Sequence, residues 1–146
     1  MIDAMQEWRR LQDDPVALLG RVRSIAIVGA SPKPERPAHQ VQAFLQERGY
    51  EVFPVNPGQA GGAILGRPVF ARLADLPQPV DMIDVFRNAA QVPKLVDEIL
   101  GLPWKPKVLW LQLGIAHEEA AERARAAGIA VVMNRCPRIE LAASSN

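Results

Sequence analysis

The segment Ile25-Ala26-Ile27-Val28 runs straight into Gly29-Ala30-Ser31-Pro32, and a helix begins a few residues later at Pro37. Four apolar residues without polar alternation read as a strand covered on both faces, the mark of a parallel sheet between two helical layers. Gly29 and two small residues let the backbone turn sharply. The helix that follows, opened by Pro37, turns its free N–H groups back toward the loop. Partial positive charge therefore gathers at one corner, with Lys33 and Arg36 beside it. The local structure expected here is a cradle for a phosphate.

The rest of the chain repeats the strand-then-helix pattern. Ala38, Val41, Phe44 and Leu45 mark a helix face that stops at Gly49, and Glu51 to Val55 is the next strand. A glycine-rich stretch over 56–66 leads to an extended piece near Pro68 to Phe70 and a helical turn around Leu73. Val80 to Phe86 and Lys107 to Leu113 are strands, separated by a helix carrying Val92, Leu95, Val96 and Ile99 and ended by Gly101. His117 to Ala127 is an alanine-rich helix closed by Gly128, and Ile129 to Met133 is the last strand. Such alternation implies right-handed parallel crossovers, and hence an α/β fold: a doubly wound, mostly parallel sheet of Rossmann type in a single domain. Before it, Met5, Trp8 and Leu11 recur at helical spacing and Asp14-Pro15 reads as an N-cap followed by a first-turn proline. Residues 1–24 are therefore expected to form a helical extension packed on the domain, 25–141 the domain itself, and 142–146 a frayed tail.

In open sheets of this kind ligands bind beyond the carboxyl ends of the strands, where the strand order reverses. The segments after the strands hold Ser31, Lys33 and Arg36, then Asn56 and Gln59, Arg87 and Asn88, Gln112 and His117, and finally Asn134, Arg135, Cys136 and Arg138. Anion-holding groups thus converge on one edge. The dinucleotide fingerprint G-x-G-x-x-G is absent after Gly29, and the second strand ends in Val55-Asn56-Pro57 where NAD would need an acid. A P-loop signature is missing as well. NAD and nucleotide hydrolysis are disfavoured, while an NADP-type oxidoreductase stays open.

Composition narrows the field further. A net charge of +1 on 146 residues provides no basic field for nucleic acid. The chain has no apolar run long enough for a membrane span, and its N-terminus lacks the pattern of a signal peptide, so a cytoplasmic protein with neither nucleic-acid nor membrane partner is expected. The one cysteine, Cys136, excludes an intrachain disulfide and cannot by itself build a structural zinc site. H-E-x-x-H fails because Ala121 follows His117 at the required spacing, leaving His117 as a surface residue at a helix start. Asp81 and Asp84 lie in or beside an apolar strand and read as structural, with Asp84 or Asp81 a salt-bridge alternative to a ligand role for Arg87. Cys136, flanked by Arg135 and Arg138, reads as part of a structural turn at Pro137, with a reversible mixed disulfide as the alternative. No catalytic residue and no metal site is assigned.

Several pieces, taken in order, resemble a known family: Gly29-Ala30-Ser31-Pro32-Lys33-Pro34-Glu35-Arg36-Pro37, Val55-Asn56-Pro57-Gly58, Leu65-Gly66-Arg67-Pro68-Val69, Val80-Asp81-Met82-Ile83-Asp84-Val85-Phe86-Arg87, Trp110-Leu111-Gln112-Leu113-Gly114 and Asn134-Arg135-Cys136-Pro137. They resemble the small stand-alone CoA-binding proteins, similar in turn to the CoA-binding domain of the succinyl-CoA synthetase alpha subunit. The resemblance implies that Gly29, Ala30, Ser31, Pro32, Lys33 and Arg36 wrap the CoA diphosphate through main-chain amides and charge. It implies that Val55, Asn56 and Pro57 border the adenosine, and that Phe86, Arg87 and Asn88 lie along the nucleotide and pantetheine. Gln59 stands where synthetase-type domains carry a lysine, so Arg36, Lys33 or Arg67 has to supply that contact. The synthetase's phosphoryl-carrying histidine belongs to a second domain, for which this chain has no room. The expected function is binding of coenzyme A or a short acyl-CoA without chemistry of its own. The alternatives are the NADP-type oxidoreductase and a regulatory or scaffolding module with a vestigial pocket. Exposed edge strands leave a homo-oligomer or another protein partner open.

Overall fold

Parallel strands need crossovers long enough to return the chain to the same edge, and the helix-forming stretches between them supply these. The computed structural model describes residues 4–144, with side chains from Gln6 onward, so the expectations for Met5, Ser145 and Asn146 fall outside it. Its strands are β1 (Ser24–Val28), β2 (Glu51–Val55), β3 (Ala63–Ile64), β4 (Arg67–Pro68), β5 (Met82–Val85), β6 (Val108–Leu111) and β7 (Ala130–Val132). Five of them form one parallel sheet in the order β2-β1-β5-β6-β7, and β3 and β4 make a small antiparallel hairpin beside it. The strand order reverses between β1 and β5. The fold is the expected doubly wound sheet of Rossmann type in a single domain.

Helices α1 (Ala4–Arg10), α2 (Pro15–Arg21), α3 (Pro37–Glu47) and α6 (Pro137–Ser144) and helices α4 (Val92–Leu100) and α5 (Glu118–Ala126) cover opposite faces. Side chains alternate across each strand, so one parity meets each layer. Ile25, Ile27, Met82, Val108 and Trp110 join Leu18, Val41, Leu45 and Leu141; Ala26, Ile83, Leu109 and Leu111 join Val96, Ile99 and Ala120. Each fully buried Leu, Ile or Val contributes roughly 1.5–3 kcal/mol relative to exposure, so the short helices are held chiefly by these two layers.

The Asp14 side chain accepts from Ala17 N at 3.3 Å and Pro15 opens α2, as the sequence predicts. Two expectations are corrected. The segment after β7 is not a turn leading to a loose end: Pro137 opens helix α6, which runs through Ser144 and buries Pro137 and Leu141, so 142–144 are helical. Nor are the sheet edges open throughout. Gln12 Oε1 accepts from Val131 N on β7 at 3.1 Å, and beside β2 Phe70 N donates to Pro54 O at 3.0 Å while Asn56 N donates to Phe70 O at 2.9 Å.

Candidate functional site

The loop after β1 turns because Gly29 adopts φ +90°, a region closed to most L-residues. A Cβ at Gly29 would stand 2.5 Å from the Phe86 carbonyl oxygen, so the close approach of two backbones at the switch point demands glycine. Beyond the turn lies an open cavity of about 400 Å³ between the loop and the start of α3, lined by Gly29, Ala30, Ser31, Pro32, Lys33 and Arg36, with Pro37, Ala38, Asn56, Gln59 and Phe86 completing it. The amides there are divided unequally. Gly29 N and Ala30 N both donate to Val55 O, at 3.0 and 3.3 Å, Lys33 N donates to Ser31 Oγ, and Arg36 N donates to Lys33 O. Prolines 32, 34 and 37 have no N–H to give. Ser31, Glu35 and Ala38 keep N–H groups with no acceptor among the described residues. The side chains of Lys33 and Arg36 are exposed and make no ion pair among the described residues. An anion placed here meets two cations and the positive end of an eleven-residue helix.

Pro37 and Phe86 also line a second cavity of about 490 Å³ that adjoins the first beyond the ends of β5 and β6. Its walls are of a different kind. Val41 from α3, Leu113 and Ile115 after β6, and Ile139 from α6 provide apolar surface, and Leu113 and Ile139 are 54% and 53% exposed at its mouth. Arg87, Asn88, Cys136 and Arg138 complete the wall, and Gln112, 5% exposed, also lines it. Arg138 donates to Gln40 Oε1 at 3.3 Å, joining α6 to α3. Charge on one side and apolar wall on the other form a two-compartment groove along the switch point, where ligands of such sheets bind.

The profile of the CoA binding domain matches residues 23–142. The chain belongs to the CoA-binding domain family. It is 34% identical over 122 residues to the Bacillus subtilis (strain 168) protein YneT, covering 84% of this chain and 87% of that one. A solved structure from Thermus thermophilus, cell-free ID.343, superposes with a TM-score of 0.83 at 40% identity over 90% of this chain and 97% of its own. A shorter match joins 80 residues, 52% of this chain, to 17% of the alpha subunit of a Pyrococcus furiosus acetate–CoA ligase (ADP-forming), at 34% identity.

In this CoA-binding domain most of the sequence-assigned residues come together, in distinct positions. Gly29, Ala30, Ser31, Pro32, Lys33, Arg36 and Asn56 line the charged compartment, Arg87 and Asn88 the apolar one, and Phe86 both. Val55 and Pro57 line neither: the Val55 carbonyl holds the first loop, and Pro57 faces a separate depression with Arg87 and Lys94. The expectation that the whole first loop presents its amides is narrowed, since those of Gly29 and Ala30 are engaged by Val55. Asn56 proves a scaffold residue, donating from Nδ2 to Ala30 O and accepting at Oδ1 from Gly58 N, both at 2.8 Å. Arg67 lines neither compartment; its Nε donates to Val52 O at 2.9 Å and its guanidinium lies over the Phe53 ring.

The salt-bridge alternative for Arg87 is also excluded among the described residues. Asp81 lies at the far end of the sheet, accepting from Arg23 N at 2.8 Å, and Asp84 is fully buried without an ion pair. His117 caps α5 by accepting at Nδ1 from Ala120 N, and Asn134 accepts at Oδ1 from Gly114 N at 2.7 Å. Sequence reasoning missed the apolar wall. Its signal was present in Ile115, in a loop between Gly114 and Ala116, and in Ile139, between Arg138 and Glu140, but neither belongs to a periodic pattern. Among the described residues no cluster of His, Cys, Asp and Glu is suited to a metal, and no helix is long and apolar enough to cross a membrane.

Proposed function

We propose that this chain binds coenzyme A or a short acyl-CoA reversibly and carries out no reaction on it alone. The observation that carries the reading is that the two compartments adjoin, sharing Pro37 and Phe86 in their walls. A ligand with a diphosphate at one end and a long, largely apolar arm at the other matches both, whereas a dinucleotide places a second polar nucleotide against Val41, Leu113 and Ile139. Lys33 and Arg36 meet the diphosphate with the Ser31 and Ala38 amides.

The test is a thermal-shift panel of CoA, acetyl-CoA, NAD, NADP and ATP. Ligand at a hundred times its Kd stabilises by about 2.7 kcal/mol, roughly 5–10 °C in a domain of this size. A shift of that order with CoA and acetyl-CoA but not with NADP is expected. A shift with NADP alone would replace this reading by the oxidoreductase, and no shift with any of the five would favour the scaffolding module.

A further inference from the structure

Under the apolar compartment lies Asp84, the one fully buried charged residue among those described. It occupies the β5 position that faces α3 and α6, flanked in register by Ile27 of β1 and Trp110 of β6. Trp110 cannot serve it, since its Nε1 donates to Arg135 O at 2.8 Å. From α3 the buried apolar residues on this face are Ala38, Val41 and Leu45. The charged or titratable groups on the compartment wall are Arg87 beyond β5 and Cys136 and Arg138 at the start of α6, and none of them bonds to Asp84 among the described residues. Its polar partner is Gln112: with Nε2 turned inward it donates to the two carboxyl oxygens at 2.9 and 3.2 Å, and with the amide turned over Oε1 takes that place. Gln112 also lines the apolar cavity.

A glutamine amide has a donor end and an acceptor end, so the protonation of Asp84 decides which end the cavity receives. An ionised carboxylate only accepts; Nε2 then turns inward and the Gln112 carbonyl faces the ligand. A neutral carboxyl donates its proton to Oε1, and the NH2 group faces the ligand. Burial without a counter-charge pushes the Asp84 carboxyl well above the ordinary carboxylate range, which favours the neutral arrangement. The outward NH2 is then a hydrogen-bond donor set in a mainly aliphatic wall, and it calls for an acceptor carried on apolar substance.

We infer that Gln112 recognises the carbonyl oxygen of an acyl thioester with an apolar acyl group, and that Asp84 is the positioning residue that keeps the Gln112 NH2 turned to it. The inference rests on the acyl-CoA reading of the groove. A free thiol is a poor hydrogen-bonding partner and gains little from the same donor.

The test compares butyryl-CoA with S-butyl-CoA, a thioether of matching chain that lacks the carbonyl, by titration calorimetry across pH. One hydrogen bond predicts a preference of about five- to tenfold for the thioester while Asp84 is neutral. The preference falls as pH rises through the Asp84 titration, because Gln112 then turns its carbonyl outward. Asp84→Asn, which cannot ionise, makes the preference independent of pH. Gln112→Leu abolishes it while S-butyl-CoA still binds.

An independent readout needs no ligand. The raised pKa of Asp84 gives stability that is fully present below the unfolded value of about 3.9 and lost as pH rises through the folded value, so the melting temperature of wild type minus that of Asp84→Asn falls over that window. The carboxylic-acid infrared band present in wild type and missing from Asp84→Asn reports the same proton. Equal binding of the two ligands, or an unchanged preference in Gln112→Leu, overturns the inference with the CoA site intact, and a preference flat with pH in wild type overturns the part given to Asp84. Failure of CoA and both analogues to bind wild type overturns the CoA reading and this inference with it.

Discussion

Gly29 and Arg36 stand a few residues apart and act through different physics. Gly29 is required by backbone geometry, its absent Cβ being what lets the β1 loop pass the Phe86 carbonyl. Arg36 precedes α3 as its N-cap without capping it through the side chain, so the guanidinium is free to meet an anion at the helix start. Removing it takes away a charge-assisted hydrogen bond at an exposed position, a loss of about 1.5 kcal/mol or roughly tenfold in affinity. Arg36→Ala is therefore expected to weaken CoA about tenfold in titration calorimetry and to leave adenosine, which has no phosphate, nearly unchanged; equal losses would remove Arg36 from the diphosphate. These two residues were legible in the sequence because a strand-glycine turn and a cation beside a helix start are local facts. Arg67 and Asn56 were not. Each has several donors or acceptors within reach of an unfolded chain, and only tertiary packing brings Val52 O to the first and Ala30 O to the second.

Helix α6 shows where elements escape such reasoning. It has eight residues and buries only Pro137 and Leu141, so it carries no periodic stripe, and Pro137 reads equally as a turn. The long apolar strands and the helices with four buried positions, α3 and α4, were legible because their patterns repeat. The structure ties α6 down from beneath, through the bond from Trp110 Nε1 to Arg135 O at 2.8 Å and the packing of Leu141. Because α6 forms one wall of the apolar compartment, that anchor belongs to the site as well as to stability. Trp110→Phe leaves the Arg135 carbonyl without its donor and a gap in the core beneath it, together costing about 2–4 kcal/mol in chemical denaturation. The same variant should lose more affinity for butyryl-CoA than for adenosine diphosphate, since only the former reaches α6. A stability loss with both ligands weakened equally would show that α6 is not part of the binding wall.

Across the whole molecule, the reversal of strand order between β1 and β5 sets a charged cavity and an apolar cavity end to end, and the two should answer differently to salt. Lys33 and Arg36 have no acid partner among the described residues, so any attraction for phosphate acts through solvent and is screened as the Debye length falls from about 10 Å at 0.1 M to about 3 Å at 1 M. The wall of Val41, Leu113, Ile115 and Ile139 works by removing apolar surface from water, at about 0.8 kcal/mol per buried CH2, and monovalent salt does not screen that. CoA affinity is accordingly expected to drop between about 0.1 M and about 1 M salt, while the gain from acetyl- to propionyl- to butyryl-CoA stays near fourfold per CH2 at both. Calorimetric titration of the three thioesters at the two ionic strengths separates the contributions. Should the gain per CH2 vanish while CoA itself remains salt-sensitive, the acyl chain lies in solvent and the apolar cavity serves something other than the ligand's tail.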